Sequence, residues 1–426
     1  MYIYQKSSIS LIMEKKRYFS LRDLPLPGKT VLLRVDYNVP LKNGKVVDNS
    51  KIVASLPTIE YLLEQNCRIV LATHLGDPQG KVVPELKTNP LAKELEKLLK
   101  AKNSKFKVVK LDDCIGNEVK KQIKKQISTA SSKSSSQIFF LENLRFYKEE
   151  EENDLMFAHS LANLAEVYVN DGFGVSHRNH ASVSAIANFL PAAAGFLMEK
   201  EISNLSQAFS PLHPNIWIMG GAKLDKIDLI NQALESADYL LIGGALAFTF
   251  LKAQGIPVGM SKVDSASLPL AKQLLEKYAK KIVLPADFVV SESFSPKAKV
   301  SIVPFNHIGS HRVALDIGPD TVHKFWEHLQ KAKLIVWNGP LGYFEWEKFS
   351  HGTREVGRLL GKLPEAVKLA GGGETVAAIH KFRLEHNFTH LSTGGGASLQ
   401  FLSGKKLPGV MALEENWKKF KDKIQN

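Results

Sequence analysis

The segment RVDYNVP at residues 34–40 carries the most informative polar side chains of this sequence. It follows the apolar run at residues 31–33 and places Arg34, Asp36 and Asn38 at alternate positions. Alternate residues of a strand point to the same face. A cation, a carboxylate and an amide are therefore expected to face one way, as a site for a small, polar, hydroxylated ligand requires.

Cationic and imidazole side chains follow further apolar runs in the first half of the chain: Arg34, Lys51, His74, Arg145, His177 and Arg178. Together with Asp36 and Asn38, this set suits a small phosphorylated acid that carries a hydroxyl group. For any single arginine, an ordinary surface ion pair is the competing interpretation.

Glycine-rich segments follow apolar runs in the second half, at residues 220–223, 243–244, 371–375 and 393–396. The loop at 371–373 leads into a helical pattern that begins near Thr375, and the free N–H groups and positive dipole of a helix N-terminus suit phosphate. Glu374 could bind Mg²⁺ through an oxygen or cap the helix. No Walker A motif and no G-x-G-x-x-G occurs, so a nucleotide site here is of another type.

The turn WNGP at residues 337–340 follows another apolar run. Glu345 lies seven residues beyond Asn338 and could accept hydrogen bonds from ribose hydroxyls. A solvated loop carboxylate is the alternative interpretation of Glu345.

Short apolar runs alternate with amphipathic stretches, which predicts an α/β fold with parallel sheets covered by helices on both faces. The predicted strands cover residues 31–35, 68–72, 106–109, 138–141, 167–170, 216–219, 239–242, 281–284, 334–337 and 368–370. The predicted helices cover residues 89–99, 154–164, 226–235, 268–279, 321–331 and 375–381. Ligands of such sheets bind at the carboxyl ends of the strands, where the polar segments lie.

A chain of 426 residues is expected to form two domains. The net charge of +13 favours anionic partners, either small phosphates or nucleic acid. Solvated lysine-rich faces explain the charge more simply, because no basic motif interleaved with aromatic residues accompanies it. Cys67 and Cys114 have no metal-binding spacing and cannot form a disulfide framework, which indicates a reducing compartment. The sequence contains no run of 18 apolar residues, so no membrane-spanning helix is predicted.

The expected domain organisation has five segments. Residues 1–14 form an N-terminal extension that is expected to be disordered, with Met13 as the expected start. Residues 15–194 form the first domain, 195–209 a connecting helix, 210–400 the second domain, and 401–426 a C-terminal segment. The Ser/Lys-rich residues 128–136 are expected to form a flexible surface loop.

From about residue 15 to the C-terminus the chain resembles the phosphoglycerate kinase family. The resemblance is carried by segments that occur in the family's order: residues 34–40, 74–76, 141–146, 171–174 with 177–178, 220–223, 247–250, 336–340, 342–345, 392–398 and 407–410. One such match would be weak, but this many in order are highly specific.

The resemblance implies two Rossmann-like parallel-sheet domains joined by a helix, a hinge-bending kinase architecture, and a C-terminal segment that returns to the first domain. It implies reversible phosphoryl transfer between 1,3-bisphosphoglycerate and ADP, giving 3-phosphoglycerate and ATP with Mg²⁺. The acid is expected on the first domain and the nucleotide on the second, in a cytoplasmic monomer without nucleic-acid or membrane partners.

The resemblance also assigns roles by position. On the acid side it implies Asp36, Asn38, Lys51, His74, Arg145 and Arg178, with Lys51 and Lys223 as the catalytic residues. On the nucleotide side it implies Lys223, Lys226, Gly243, Gly244, Gly318, Asn338, Glu345, Gly372, Gly373, Glu374 and Thr375, with Glu374 at the metal.

Five departures from the family pattern fall in these sites. Lys51 and Asp77 replace arginines, Ala245 replaces a glycine, Glu374 replaces an aspartate, and the spacing from Lys223 to Lys226 is one residue short. The expected function is a working phosphoglycerate kinase. One alternative is a catalytically weakened paralogue that binds ligands as a sensor or scaffold. The other is a nucleic-acid binder, for which the net positive charge is the evidence.

Overall fold

A computed structural model describes residues 17–129, 137–221 and 227–424. They fall into two compact units: a first unit of residues 17–202 with 406–424, and a second unit, Ser203–Lys405. The predicted N-terminal extension and residues 130–136 of the predicted surface loop lie outside the described residues.

The first unit contains a seven-stranded parallel sheet and a short antiparallel hairpin of β3 and β4. Its strands are β1 (Phe19–Ser20), β2 (Thr30–Arg34), β3 (Leu41–Lys42), β4 (Lys45–Val46), β5 (Arg68–Ala72), β6 (Lys107–Lys110), β7 (Gln137–Phe140), β8 (Val167–Asn170) and β9 (Ala192–Ala194). Its helices before the second unit are α1 (Ser50–Glu64), α2 (Asn89–Lys102), α3 (Asn117–Thr129), α4 (Lys148–Glu151) and α5 (Leu155–Ala162). The next helix, α6 (Phe196–Ser206), begins in the first unit and contains Ser203, where the second unit starts.

The large sheet has the strand order β1-β9-β8-β2-β5-β7-β6. All five residues of β2 are buried, as a central strand covered on both faces requires. Arg34 at the end of β2 pairs with Ala72 of β5 and with Asn170 of β8, so these three strands end level with one another. The order of the strands reverses beside β2, and such a switch point is where open α/β sheets bind ligands.

The second unit contains a six-stranded parallel sheet, with the order β12-β11-β10-β16-β17-β18, and a three-stranded antiparallel sheet, β14-β13-β15. The strands are β10 (Asn215–Met219), β11 (Tyr239–Ile242), β12 (Ile282–Val283), β13 (Asp287–Ser291), β14 (Val300–Pro304), β15 (Val313–Ile317), β16 (Leu334–Asn338), β17 (Val367–Gly371) and β18 (His390–Leu391). The helices are α7 (Ile227–Ser236), α8 (Leu246–Ala253), α9 (Leu268–Tyr278), α10 (Pro319–Leu329), α11 (His351–Leu360), α12 (Gly373–Lys381) and α13 (Gly396–Leu402).

The last helix, α14 (Pro408–Ile424), packs on the first unit. Asn416 is buried and accepts a hydrogen bond from the N–H of Ala192 in β9. Its amide nitrogen donates to the carbonyl oxygens of Ala187 and Leu190. One asparagine thus connects the last helix to strand β9 of the large sheet.

The predicted α/β class with parallel sheets is confirmed, and each predicted strand and helix is present with ends shifted by at most a few residues. The antiparallel sheet of β13, β14 and β15 was not predicted. Its middle strand is buried, but β14 is mostly exposed, and this pattern differs from the buried parallel strands on which the prediction relied. Within the described helices, none has both the length and the apolar composition needed to cross a membrane.

Candidate functional sites

The polar residues predicted in the first half lie at the carboxyl ends of its parallel strands. Asp36 and Asn38 follow β2, His74 follows β5, Arg145 follows β7 and Arg178 follows β8. Because β2, β5 and β8 end level, the sheet brings the segments that carry these residues to one edge. We call this edge the acid site.

Asp36 and Lys51 form an ion pair at the acid site. The Lys51 Nζ lies 2.8 Å from Asp36 Oδ2, and the two side chains are 30% and 10% exposed. Burial by itself would raise the pKa of Asp36. Attraction to the Lys51 ammonium and hydrogen bonds from Lys51 and the Asn38 N–H outweigh burial and lower the pKa of Asp36 below its ordinary value. Asp36 is therefore a fixed carboxylate at neutral pH.

Gly76 joins two of the predicted ligand-binding residues through its backbone. Its N–H donates to Asn38 Oδ1 at 2.9 Å, and its carbonyl oxygen accepts from Arg145 at 2.9 Å. Gly76 has a φ of +64°, which favours glycine. The loop after β5 therefore fixes the positions of an amide and a guanidinium on neighbouring loops.

Asn143 is a positioning residue that the sequence analysis did not assign. It is fully buried, its Oδ1 accepts from the N–H groups of Leu75 and Arg145, and its Nδ2 donates to the carbonyl oxygens of Leu75 and Leu86. It fixes the loop that contains His74 against the loop that contains Arg145. An uncharged polar residue directly after a buried strand is the signal that could have identified it.

The remaining groups of the acid site differ in exposure. Arg145 is largely buried and its Nε lies 3.3 Å from a carboxylate oxygen of Glu151. Arg178 is exposed, and no ion pair of its side chain is found within the described part of the chain. Asp77 is also exposed, directly after Gly76. The negative charge of Asp77 therefore lies on the same loop as His74.

Two expectations for the acid site need correction. Arg34 does not face outward beside Asp36 and Asn38, because it is 1% exposed and donates to the side chain of Ser182 in the interior. His74 is 3% exposed, and burial first, then repulsion from Arg34, lower the pKa of its imidazole well below the ordinary value. His74 is a neutral ring at neutral pH and does not add to the positive charge.

In the second unit, a cavity of about 160 Å³ lies at the carboxyl ends of β10, β11, β16 and β17. We call it the nucleotide cavity. Apolar side chains form most of its wall, including those of Phe248, Phe288 and Leu341. Two exposed carboxylates, Glu345 and Glu374, also line it.

The glycine loops pack against one another beside the nucleotide cavity. A Cβ at Gly339 would lie 2.2 Å from the carbonyl oxygen of Gly220, so no larger residue fits this approach. The N–H of Gly243 donates to Met219 and that of Gly244 donates to Leu341, both to backbone oxygens. These two glycines therefore provide close packing, and their N–H groups are already engaged within the protein.

The N-terminus of α12 offers the free donors that the sequence predicted. Gly372 has a φ of +95°, and its Cβ position is 2.6 Å from the Asn338 side chain, so glycine is required there. In the described residues, no acceptor bonds the backbone N–H groups of Gly373, Glu374 and Thr375, which form the first turn of the helix. This turn can bind an anion.

Thr375 and Asn338 position this turn from behind. Thr375 is buried, and its Oγ1 accepts from the N–H of Gly339 at 2.7 Å. Asn338 is buried as well, and its Nδ2 donates to the carbonyl oxygen of Gly371 at 2.7 Å. Asn338 thus connects the loop after β16 to the loop after β17 and does not line the cavity.

Gly318 is not among the residues that line the nucleotide cavity. A Cβ at Gly318 would lie 2.1 Å from the carboxylate of Asp287, and that carboxylate accepts from the N–H groups of Asp320 and Thr321 at the start of α10. Glycine is therefore needed at position 318 to make room for a helix cap.

Asp316 is a buried group at the cavity that the sequence analysis missed. Its carboxylate accepts from the N–H groups of Ile317 and Gly352, each at 2.9 Å. Burial raises the pKa of Asp316 well above its ordinary value, because these hydrogen bonds only partly offset the loss of water. A Cβ at Gly342 would lie 2.0 Å from this carboxylate, so that glycine was the available signal.

The side chains near α12 include one exposed carboxylate that could bind a metal ion. Among the described residues, no group of three or more histidine, cysteine, aspartate or glutamate side chains is arranged to bind a metal ion. Glu374 alone is an exposed carboxylate beside the free N–H groups of α12. One carboxylate combined with phosphate oxygens is a donor set that fits Mg²⁺.

Lys223 and Lys226, predicted to bind the moving phosphoryl group and the nucleotide phosphates, lie outside the described residues. Their predicted roles, and the effect of their shortened spacing, stay predictions.

Comparisons with known proteins agree on one family. The family model described as phosphoglycerate kinase matches residues 21–405. The phosphoglycerate kinase of Moorella thermoacetica is 48% identical over 401 residues, which cover 93% of this chain and 99% of that protein. That of Dictyoglomus turgidum is 45% identical over 408 residues, which cover 95% of this chain and 100% of that protein.

Solved structures give the same result. The structure of phosphoglycerate kinase from Coxiella burnetii matches with a TM-score of 0.82 and 36% identity, covering 94% of this chain and 100% of that one. The phosphoglycerate kinase of Pyrococcus horikoshii matches with a TM-score of 0.79 and 34% identity, covering 94% and 100%. The resemblance inferred from the sequence segments is confirmed, and these similarities give no support to a weakened paralogue.

Proposed function

The chain belongs to the phosphoglycerate kinase family, and from this premise we propose how its described residues perform the family's reaction. The chain is a phosphotransferase of glycolysis whose acceptor is the carboxylate of 3-phosphoglycerate. The reversible reaction of 1,3-bisphosphoglycerate with ADP gives 3-phosphoglycerate and ATP. The observation that carries this conclusion is the match to the family over residues 21–405.

The acid substrate binds at the acid site of the first unit in this proposal. Asn38 and the Asp36 carboxylate face the hydroxyl and carboxyl end of the glycerate, while Arg145 and Arg178 bind its phosphate. The ion pair of Asp36 with Lys51 supports this arrangement, because it leaves one cation and one anion fixed side by side. Arg178 is exposed and so is accessible to a ligand from solvent.

ATP or ADP binds at the nucleotide cavity of the second unit. The apolar walls suit a purine base, and Glu345 accepts from the ribose hydroxyls. The phosphates lie at the N-terminus of α12, where the N–H groups of Gly373, Glu374 and Thr375 donate to phosphate oxygens. Gly243, Gly244 and Asn338 act indirectly, by fixing the loops around the cavity.

Mg²⁺ is the metal that the donors fit, with Glu374 as its protein ligand. When bound, the ion supplies positive charge to the phosphate oxygens. Glutamate is one methylene longer than the aspartate of the family, and its side chain is exposed. Its longer reach therefore requires no change in the position of the helix.

Phosphoryl transfer requires alignment and neutralisation of charge more than covalent chemistry from the protein. Lys51 and Lys223 supply that charge in this proposal. Lys51 keeps the positive charge of the family's arginine but lacks its planar pair of donors. Lys51 also donates to Asp36, so one of its three N–H groups is already used.

We further propose that the enzyme is a cytoplasmic monomer and has no nucleic-acid or membrane partner. The acid substrate proposed above accounts for the positive charges at the acid site, so no nucleic acid is needed to explain them. A cytoplasmic location is where a glycolytic enzyme meets its substrates.

A steady-state assay that couples ADP formation to NADH oxidation tests the proposal with purified protein, ATP, Mg²⁺ and 3-phosphoglycerate. We expect Arg145→Met to raise the KM for 3-phosphoglycerate and leave the KM for ATP nearly unchanged. We expect Glu345→Gln to raise the KM for ATP only. Absence of turnover in the unmodified protein, or variants that each alter both KM values equally, would contradict the proposal.

A further inference from the structure

The imidazole of His74 contacts the guanidinium of Arg34 in the interior of the first unit. Arg34 Nη2 lies 3.3 Å from His74 Nδ1, and the two residues are 1% and 3% exposed. A guanidinium has only donors and no acceptor. Nδ1 must therefore accept, and a neutral ring that accepts at Nδ1 carries its proton on Nε2.

Arg34 is itself fixed by a directional set of hydrogen bonds. Its Nε donates to Ser182 Oγ at 2.8 Å, and its Nη1 donates to the carbonyl oxygen of Val35. Ser182 Oγ in turn donates to Glu150 at 2.6 Å, and the Ser182 N–H donates to the other carboxylate oxygen at 2.9 Å. Because Ser182 accepts from Arg34 and donates to Glu150, the guanidinium has one preferred orientation.

Glu150 is the acidic partner of Arg34 in the interior: burial raises the pKa of its carboxyl, and attraction to Arg34 and hydrogen bonds from Ser182 partly offset that rise. It is fully buried and comes from α4, which follows Arg145 by only a few residues. A buried cation without such a partner would be costly. Glu150, Ser182, Arg34 and His74 thus form one continuous chain of hydrogen bonds that ends at the acid site.

The charges around His74 also disfavour an imidazolium. Burial is the largest effect, and Arg34, Arg145 and Lys51 add repulsion, while Asp36 attracts a positive ring. The pKa of His74 is therefore lowered well below its ordinary value. The ring is therefore neutral at neutral pH.

We propose that Arg34 is a positioning residue that fixes His74 as the neutral tautomer with its proton on Nε2, so that His74 serves the acid substrate as a hydrogen-bond donor and not as a cation. Within the described residues no acceptor for Nε2 is found, so this N–H is available to an oxygen of the substrate. The identity of that oxygen, on the carboxylate or acyl phosphate, rests on the proposed function. The state of the ring does not.

The first test observes the ring nitrogens of the intact protein without substrate. Uniformly ¹⁵N-labelled protein is studied by long-range ¹H–¹⁵N NMR, and the His74 signals are identified by their loss in His74→Gln. We expect a pyrrole-type Nε2 and a pyridine-type Nδ1 that do not change between about pH 6 and pH 8. A proton on Nδ1, or an imidazolium at pH 7, would overturn the proposal.

A second measurement tests the role of Arg34. The variant Arg34→Met combined with Glu150→Gln removes the donor without leaving a buried carboxylate unpaired, and we expect His74 to become a mixture of tautomers. Arg145→Met, which removes another nearby cation, is the matched control and should leave the tautomer unchanged. An unchanged tautomer in the double variant would refute the role of Arg34. If the double variant does not fold, Arg34→Lys replaces it, because lysine keeps the buried charge beside Glu150 but lacks the planar set of donors; His74 should again become a mixture of tautomers, and an unchanged tautomer would refute the role of Arg34.

A third measurement tests the consequence for the substrate. The amide of a glutamine at position 74 mimics Nε2–H, whereas that of an asparagine mimics Nδ1. We expect kcat/KM for 3-phosphoglycerate to be about 10- to 100-fold higher in His74→Gln than in His74→Asn, which is the cost of one donor to a charged oxygen. Equal losses would overturn the donor role. If no form of the protein has kinase activity, the proposed function fails, while the ring spectrum still decides the tautomer.

Discussion

Replacing Asp77 by arginine should tighten the binding of 3-phosphoglycerate. Asp77 is exposed and directly follows Gly76, whose backbone contacts both Asn38 and Arg145. Asp77 is therefore adjacent in sequence to the glycine that fixes the positions of Asn38 and Arg145, two residues proposed to bind the acid. A negative charge there repels a phosphorylated acid, and an arginine would attract it.

The expected gain follows from the charge change and the exposure of the side chain. Two unit charges about 8 Å apart in water interact by roughly 0.5 kcal/mol. Asp77→Arg changes the charge by two units, and a phosphate carries nearly two, so the unscreened gain is about 2 kcal/mol. Physiological salt reduces this to about 1 kcal/mol, because the Debye length is about 8 Å. The dissociation constant should fall about fivefold.

Isothermal titration of 3-phosphoglycerate into the nucleotide-free protein measures this change. Asp77→Asn should give about half of the gain in free energy, since it removes one charge and adds none. Glu64→Arg is the matched control. Glu64 is exposed at the end of α1. The carbonyl oxygen of the next residue, Gln65, accepts from the N–H of Gly28, which precedes β2, so Glu64 lies near the amino ends of the strands and away from the acid site. This control should leave the affinity nearly unchanged.

The result that would refute this reasoning is an affinity for Asp77→Arg that is unchanged, weaker or equal to that of Glu64→Arg. A gain that does not diminish when salt is raised would also contradict it, because the interaction of an exposed charge is screened.

Three further predictions concern stability, turnover and the metal. Burial raises the pKa of Asp171 to about 7 from 3.8, so the folded state binds the proton of this carboxyl more tightly than the unfolded chain does. The stability that this proton contributes is therefore lost as pH rises from about 4 to about 7. Between pH 4 and pH 8, the free energy of unfolding in urea should fall by roughly 4 kcal/mol more for the unmodified protein than for Asp171→Asn. The same dependence of this free energy on pH in both proteins would contradict the prediction. Lys51→Arg should raise kcat up to about tenfold by restoring a second donor, and no gain in the coupled assay would mean that Lys51 does not contact the transferring group. Glu374→Gln should raise the Mg²⁺ concentration required for half-maximal rate about tenfold without altering the KM for 3-phosphoglycerate. An unchanged Mg²⁺ dependence would show that Glu374 is not a metal ligand.

The elements and the edges that bind ligands were predictable because they depend on local patterns. The buried parallel strands are short apolar runs, and polar residues follow directly after each run. Asp36, Asn38 and Arg145 were predicted as site residues in this way, and the structure places all three after strands of one sheet. The turn at Gly372 was predictable for a similar reason, since the helix of Thr375 begins immediately after it.

The orientation of Arg34 could not be predicted from alternation along β2. In a strand that is buried on both faces, the alternation of side chains does not show which residues point to a ligand and which point into the protein interior. Arg34 points inward because Glu150 and Ser182, more than 110 residues away in sequence, provide a buried carboxylate and hydroxyl. Only the folded chain brings these groups together.

Gly318 shows the same limit in the second unit. A glycine after a strand indicates close approach, but the sequence does not say what approaches. The neighbour is the carboxylate of Asp287, which caps α10, and no ligand is needed to explain the glycine. Asp316 was missed for the converse reason, since its carboxylate bonds the backbone of Gly352, 36 residues further along the chain.

The most direct test of the central claim is to identify the product made from ATP and 3-phosphoglycerate. The purified protein is incubated with both substrates, Mg²⁺ and hydroxylamine, which converts an acyl phosphate to a hydroxamate, and ADP and hydroxamate are measured together. We expect the two to form in equal amounts, and only when 3-phosphoglycerate is present. Formation of ADP without hydroxamate, or of neither product, would contradict transfer of the phosphoryl group to the carboxylate.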